Sequence, residues 1–579
     1  MVSMKQLMLG NEAVARGLYE AGVTVVSSYP GTPSTEITEA AATYPEIYAE
    51  WAPNEKVAAE VAFGACMGGA RSFCGQKHVG VNVAADLLFT ASYTGVNGGF
   101  VIAAADDQGM HSSQNEQDSR YYAIAAKMPM VEPADSQECK DYTKFAYELS
   151  EKFDVPVMLR LSTRISHSQS IVELGERDEV GVKPYEKNPG KYVMMPGNAK
   201  KRHVVVEQRC EDLSKYAETC PINKVIYNQD KKIGIIAAGI AYQYAREALG
   251  DQASYFKLGM INPMPVEALK EFAANVEQVY VIEELEDIIE THCLKHGIAV
   301  KGKALFSRIG EYTPGEIRKQ ILGDQKELYH LDVEAPVRPP VLCPGCPHRG
   351  LFYTLNKMKL NVSGDIGCYT LGATPPLGAM DSTICMGASI SGLHGMTKAR
   401  GEEYAKHAVA VIGDSTFMHS GITGLCDMVY NKGIGTIIVL DNSITGMTGH
   451  QQNPTTGKTL KGEPTYAIDI VEICKAAGVK HIRIVDPFDL ENNESIIREE
   501  VERMEPSVII TRRLCILLKE AKIYPAFKVD ADKCKSCKMC MKIGCPAISM
   551  KEGKAVIDST LCVGCDLCTK LCKFGAIQK

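Results

Sequence analysis

Eight of the chain's 21 cysteines fall within residues 534–572, in two runs. The first is Cys534-x2-Cys537-x2-Cys540-x4-Cys545, followed by Pro546; the second is Cys562-x2-Cys565-x2-Cys568-x3-Cys572. Thiolates two residues apart can bind one metal centre together, and three at successive two-residue gaps suit an iron–sulfur cubane better than a zinc knuckle. Another pair, Cys343 and Cys346, stands in VLCPGCPHRG (341–350), with Cys368 following in GDIGC. That pair admits several chemistries: half a zinc site with His348, a redox dithiol, two cluster ligands, or two unconnected core cysteines. The dithiol reading expects a helix directly after the pair to lower a thiol pKa, and Pro344-Gly345 gives no sign of one.

A second constellation carries oxygen. Gly413-Asp414-Ser415 ends the apolar run HAVAVIGDS, and Asp441-Asn442 ends the run TIIVLDN after 25 intervening residues. The helical pattern FMHSGITGLCDMVYNK lies between them, so the stretch reads as a βαβ unit with polar residues at the carboxyl ends of both strands, where open α/β sheets place ligands. A carboxylate and an amide oxygen so placed are hard donors of the kind a divalent cation takes. Gly413 is expected to permit a tight turn there.

The rest of the chain must position these groups. At 579 residues it exceeds one hydrophobic core, and 45% hydrophobic with 23% charged residues is ordinary for a globular protein. A net charge of −7 with no basic run excludes nucleic-acid binding as an expectation. No apolar stretch approaches the roughly 18–20 residues that span a bilayer, and the N-terminal segment lacks a signal-peptide core. The reading is a cytoplasmic protein, whose reducing surroundings favour metal ligation over disulfides. The N-terminal stretch WAPNEKVAAEVAFGACMGGARSF puts Glu55 at the start of a small-residue helix, with Glu60 as its rival further along.

The oxygen constellation resembles the thiamine diphosphate signature, usually GDG followed by NN; Ser415 and Asp441 depart from it at positions that are not ligands. The tail resembles a bacterial two-cluster ferredoxin, which implies one [4Fe–4S] cluster on Cys534, Cys537, Cys540 and Cys572 and another on Cys562, Cys565, Cys568 and Cys545. An extra residue before Cys545, and Lys573 where proline is usual, depart from that pattern. With YPGTPSTE (29–36), WAPNEKVAAE (51–60), SSQNEQDSRYYA (112–123), CPGCPHRG (343–350), GDSTFMHSGITG (413–424) and DNSITGMTGHQ (441–451), nearly the whole chain resembles the 2-oxoacid:ferredoxin oxidoreductases, most closely the large subunits of the branch acting on indolepyruvate.

The resemblance implies an α/β fold in five parts: a pyrimidine-binding thiamine domain (1–165), a linker or excursion (166–232), a transketolase C-terminal-like domain (233–330), a diphosphate-binding thiamine domain (338–525) and a 2[4Fe–4S] ferredoxin domain (526–579). It implies thiamine diphosphate and Mg²⁺ held through Gly413, Asp414, Ser415, Asn442 and Ile444, and Glu55 acting on the aminopyrimidine. By position, Thr32 would hold the substrate carboxylate, while His111, with Asn115 and Arg120, would line the site. A third cluster near the thiamine would use Cys343, Cys346, Cys368 and Cys515, with Cys385 or Cys426 as rivals for the last place. The implied reaction is oxidative decarboxylation of an aryl 2-oxo acid, of indolepyruvate or phenylpyruvate type. Coenzyme A takes the acyl group, and electrons leave singly to ferredoxin. A smaller beta subunit of the gamma-domain type is expected to complete an (αβ)₂ assembly. A non-redox thiamine-dependent decarboxylase, or an electron-transfer protein on a thiamine scaffold, are the alternative readings.

Overall fold

The computed structural model describes residues 4–324 and 332–579. The chain divides into two compact units, residues 1–331 and 332–579.

The first unit is built on a seven-stranded sheet in the order Met260–Asn262, Met130–Val131, Val157–Ser162, Phe100–Asp106, Ser72–Lys77, Val25–Ser28, Tyr48–Trp51. All neighbours run parallel except the outermost, Met260–Asn262. The central strands FVIAAAD and SFCGQK are buried at every position, as expected of parallel strands covered on both faces. Helix Glu55–Met67 buries Ala58, Ala59, Ala62 and Cys66, whose small side chains allow close approach to the sheet. Its start is set by Asn54, whose side chain accepts from the Val57 N–H at 2.9 Å.

A four-stranded sheet follows in the order Gln278–Ile282, Ile233–Ala238, Ser254–Leu258, Lys224–Ile226, with the last strand antiparallel. The stretch 166–232, charged enough to read as a linker or excursion, carries folded elements of its own. Gln169–Glu173 pairs with Lys5–Leu9. The helix Pro196–Ala217 buries Val206, Leu213 and Ala217, and Lys224–Ile226 already belongs to the second sheet.

The second unit holds a six-stranded, wholly parallel sheet in the order Ser382–Thr383, Asn361–Gly364, Ala408–Gly413, Gly435–Asp441, Pro506–Arg512, His481–Val485. Ala408–Gly413 and Gly435–Asp441 are buried along their whole length, so their carboxyl ends are held rigidly. The tail adds two small ribbons, Ile548–Lys551 with Lys554–Ile557 and Lys528–Val529 with Ile577–Gln578. Their apolar residues Ile543, Ile548, Leu567 and Leu571 share a core with Phe488 of the preceding α/β domain. Among the described residues no helix is long and apolar enough to cross a membrane.

Candidate functional site

Asp414 begins the helical segment that leaves strand Ala408–Gly413, and Asn442 follows strand Gly435–Asp441 beside it. One terminal atom of the Asn442 carboxamide stands 3.2 Å from Asp414 Oδ1 and 2.8 Å from the Ile444 carbonyl oxygen. With its NH₂ in that place the amide bridges two oxygens; turned over, its oxygen joins them around one point. Asp414 Oδ2 is buried without a hydrogen-bond partner. Burial, with Asp441 close by, pushes the Asp414 carboxyl up to about 8. A buried carboxylate with an orphaned oxygen, faced by an amide and a carbonyl, fits a hard divalent cation that would offset the charge.

The loop beyond is strained toward this arrangement. Ser443 has φ +58°, the left-handed region, between Asn442 and Ile444. Asp441 Oδ1 accepts from the Ser443 N–H at 3.2 Å, while its Oδ2 pairs with Arg512 at 2.7 Å. Asp441 is thereby engaged in shaping the loop. Gly413 corrects the turn argument made from sequence: its φ is −76°, which any residue adopts. A side chain there would instead stand 2.6 Å from the Tyr369 ring, so glycine is needed for close approach. Directly after Asp414 the helix opens into a π-turn, Phe417–Gly421, a distortion found often at functional sites.

The cysteines fall into three groups. Cys545, Cys562, Cys565 and Cys568 line one cavity. Cys534, Cys537, Cys540 and Cys572 line another. In the first unbroken run, therefore, Cys545 leaves its neighbours and Cys572 replaces it. Backbone N–H groups of Ala555 and Ser536 hold the Cys534 thiol below its ordinary pKa, which favours the thiolate that iron requires. Cys343, Cys346, Cys368 and Cys515 form the third group: Cys515 and Cys343 face Cys368, and Cys343 and Cys368 face Cys346. Cys385 and Cys426 are exposed elsewhere. Among the described residues no three His, Cys, Asp or Glu side chains close to the spacing of a single metal ion. A cubane holds its four thiolates farther apart than one tetrahedral ion does.

A helix, His348–Met358, does follow the Cys343–Cys346 pair, contrary to the expectation from sequence. It does not make a reactive dithiol: burial pushes Cys346 up to about 12 and Cys368 up to about 11. His348 is itself buried and pushed down to about 4. The third group adjoins the oxygen loop. The Cys515 N–H donates to the Asn442 carbonyl at 3.0 Å. A side chain on Gly446 would lie 3.4 Å from Cys368 Sγ and 3.8 Å from Asn442 Nδ2.

It also adjoins the tail. Gly345, at φ +71°, would place a Cβ 3.6 Å from Cys565 Cβ. Arg349, 2% exposed, donates to carbonyls on both sides: Leu342 and Cys343 (3.0 Å) next to the pair, Ile543 (3.2 Å) and Gly544 in the tail. Cys545, Cys346, Cys343 and Cys565 surround its guanidinium. Sequence reading passed over this residue, because its partners lie almost two hundred positions away.

In the first unit Glu55 is 5% exposed, and a Cβ on Gly80 would stand 2.8 Å from its Oε1, so Gly80 leaves room for the carboxylate. Glu60 is exposed and paired with Lys56. Thr32 is half-buried in a turn closed by the Ser34 N–H to Gly31 carbonyl bond at 2.8 Å. The turn packs on Lys77, whose ammonium burial pushes down to about 8 and which donates to the Ser112 carbonyl. Lys77 is a second residue that motif reading missed. His111 is exposed and bonded to Glu311 at 2.9 Å. Arg120 does not line an open site: it is fully buried against Asp118 (2.6 Å) and Glu283 (2.5 Å), tying the two sheets together.

Two thiamine-type α/β sheets, with a redox tail in one chain, define the class of thiamine-dependent 2-oxoacid oxidoreductases. Residues 16–219 match the family described as pyruvate flavodoxin/ferredoxin oxidoreductase, thiamine diphosphate-binding. Residues 365–511 match the C-terminal thiamine pyrophosphate-binding domain of thiamine pyrophosphate enzymes, and 555–578 a 4Fe-4S binding domain. The indolepyruvate oxidoreductase subunit IorA of Archaeoglobus fulgidus is 40% identical, over 99% of this chain and 97% of that one. The subunits of the same name from Pyrococcus horikoshii (39%; 99% and 97%) and Methanothermobacter marburgensis (38%; 99% and 97%) are similar in the same way. The chain belongs to the IorA family of indolepyruvate oxidoreductase subunits.

The third cysteine group sets a measurable expectation. Fully reconstituted protein should contain about twelve iron atoms per chain, four for each cubane. Cys343→Ser should lower the count by roughly four and leave the tail signals in the EPR spectrum. A count near eight in both proteins would leave the pair without a cluster.

Proposed function

We propose that this chain is the larger subunit of an enzyme that oxidatively decarboxylates aryl 2-oxo acids, of indolepyruvate or phenylpyruvate type, with coenzyme A as acyl acceptor and ferredoxin as electron acceptor. One observation carries the reading: Cys343, Cys346, Cys368 and Cys515 gather between the Asp414–Asn442 loop and the tail cysteines. A non-redox decarboxylase has no use for thiolates in that place, and an electron carrier has no use for the oxygen loop.

Thiamine diphosphate, when bound, supplies the nucleophilic carbon and the electron sink for loss of CO₂. The chain's own residues do the rest. Asp414, Asn442 and the Ile444 carbonyl would hold Mg²⁺, which would supply positive charge for a diphosphate, with Gly413 and Ser415 framing the turn. Glu55 exchanges a proton with the aminopyrimidine from a buried position. Thr32 hydrogen-bonds the substrate carboxylate, and Lys77 beneath its turn supplies the opposing charge. His111, held by Glu311, stands at the margin of this unit. Cys343, Cys346, Cys368 and Cys515 would hold one iron–sulfur cluster, Cys545, Cys562, Cys565 and Cys568 a second, and Cys534, Cys537, Cys540 and Cys572 a third, and such clusters would supply one-electron transfer away from the oxygen loop. A smaller beta subunit of the gamma-domain type completes a cytoplasmic (αβ)₂ enzyme, a reading supported by relatives that are themselves named as subunits.

Anaerobic reduction of a dye by indolepyruvate, with and without coenzyme A, tests the reading on the chain alone and with its partner. Coenzyme-A-dependent reduction is expected only with the partner present. Aldehyde and CO₂ released without any acceptor would favour the non-redox enzyme. Because Lys77 must be protonated to attract the acid and its pKa lies near 8, KM for the 2-oxo acid should rise as pH passes upward through that value.

A further inference from the structure

Residues 526–579 contain ten lysines, no arginine and five acidic residues, within a chain of net charge −7. The tail is thus a basic module on an acidic protein. Three of its lysines directly follow thiolates of one group: Cys534–Lys535, Cys537–Lys538 and Cys572–Lys573. All three lysines are exposed, and Cys537 is exposed with them. Phe574, next in the chain, is 49% exposed and borders the same cavity. Lys533 pairs with Asp530 at 3.3 Å. Among the described residues Lys535, Lys538 and Lys573 make no ion pair.

The two tail groups therefore differ in what surrounds them. The group at Cys545, Cys562, Cys565 and Cys568 faces Gly345 and Arg349 within the unit. The cavity of Cys534, Cys537, Cys540 and Cys572 is bordered by exposed, unpaired Lys535 and Lys538 and by Phe574, with exposed Lys573 next to Phe574 in the chain. An apolar centre inside a charged rim is the usual layout of a protein contact site, and rim charge sets the encounter rate and the choice of partner.

We propose that this lysine-bearing face is the docking surface for an acidic, one-electron iron–sulfur carrier protein. The proposal rests on the function above and names the face that serves its electron acceptor. Each encounter passes one electron: the outer tail cluster is oxidised and the carrier reduced, so two encounters clear the pair released per 2-oxo acid. Unpaired lysines steer a negatively charged partner over about a Debye length, ~10 Å at 0.1 M salt, and such steering raises association rates by about 10–10³-fold. Salt should therefore weaken the encounter.

The test uses the complete enzyme with Lys535→Gln, Lys538→Gln and Lys573→Gln combined, and beside it the three Lys→Arg changes. Calorimetric titration with an acidic 2[4Fe–4S] ferredoxin should show Kd raised about ten-fold or more at low salt in the glutamine variant, with its salt dependence flattened. The arginine variant should bind as the unaltered enzyme does. Arylpyruvate-driven reduction of a neutral dye should stay within about two-fold in both, because a small neutral acceptor is not steered. Unchanged ferredoxin affinity with the original salt slope would overturn the proposal. So would loss of the partner subunit in the glutamine variant, which would assign the face to the subunit contact. Absence of dye reduction in the unaltered enzyme would instead sink the underlying function, and the two failures are thereby separate.

Discussion

Glu55→Gln should retain thiamine diphosphate at the level of the unaltered protein while turnover falls by about 10²–10⁴, the range by which positioned acid–base groups contribute. A factor of 10³ corresponds to about 4 kcal/mol at the transition state. The substitution keeps the shape, which matters because the carboxylate is packed against Gly80 in a buried place. What it removes is the exchangeable proton. Glu60→Gln is the control: its side chain is exposed and paired with Lys56, a contact of the kind worth about 0–1 kcal/mol. Pre-steady-state decarboxylation and bound-cofactor assays separate the two. Should Glu60→Gln be the inactive enzyme and Glu55→Gln the active one, the roles given to the two glutamates are reversed.

The second large effect is expected at Asp414. Asp414→Ala should abolish Mg²⁺-dependent binding of thiamine diphosphate and leave the tail's iron in place, since the tail cysteines sit in cavities of their own. Ligand at a hundred-fold excess over Kd stabilises the unaltered protein by about 2.7 kcal/mol, and a thermal melt should show that gain vanish in the variant. The variant without cofactor should fold as well as the parent, because it loses a buried carboxyl with an unpaired oxygen rather than a satisfied one. Full activity with normal cofactor content would remove Asp414 from the metal site.

The features that could be read from sequence were those carried by local spacing. Cysteines at gaps of two and three residues identify the tail without any knowledge of the fold, and Asp414 and Asn442 stand out because each closes an apolar run. Residues defined by distant partners were not legible. Arg349 draws its meaning from Ile543 and Gly544, and Lys77 from Gly31 and Ser112; no window of sequence contains those pairs. The helix after the Cys343–Cys346 pair was missed because Pro344-Gly345 gave no sign of one, although the helix begins just beyond, at His348, behind a proline that a helix start tolerates well. Gly413 was expected for the right residue type but the wrong cause, since contact with the Tyr369 ring is a tertiary matter. The segment 166–232 read as a linker or excursion because its sequence is rich in charge. Its pairing with the strand at residues 5–9 is a long-range hydrogen-bond ladder that composition does not report.

Many redox enzymes carry their electrons on a swinging arm, whose motion through solvent sets the pace. Arg349 argues for the opposite design in this chain. Its guanidinium binds carbonyls of the CPGC loop and of the tail at once, and the tail's apolar residues share a core with Phe488 of the α/β domain. On the proposed route, the gap between those two cysteine groups is part of the folded structure and does not vary with thermal excursions of a hinge. Thickening the solvent with glycerol would accordingly slow the meeting with an outside carrier while leaving the internal transfer at its original rate.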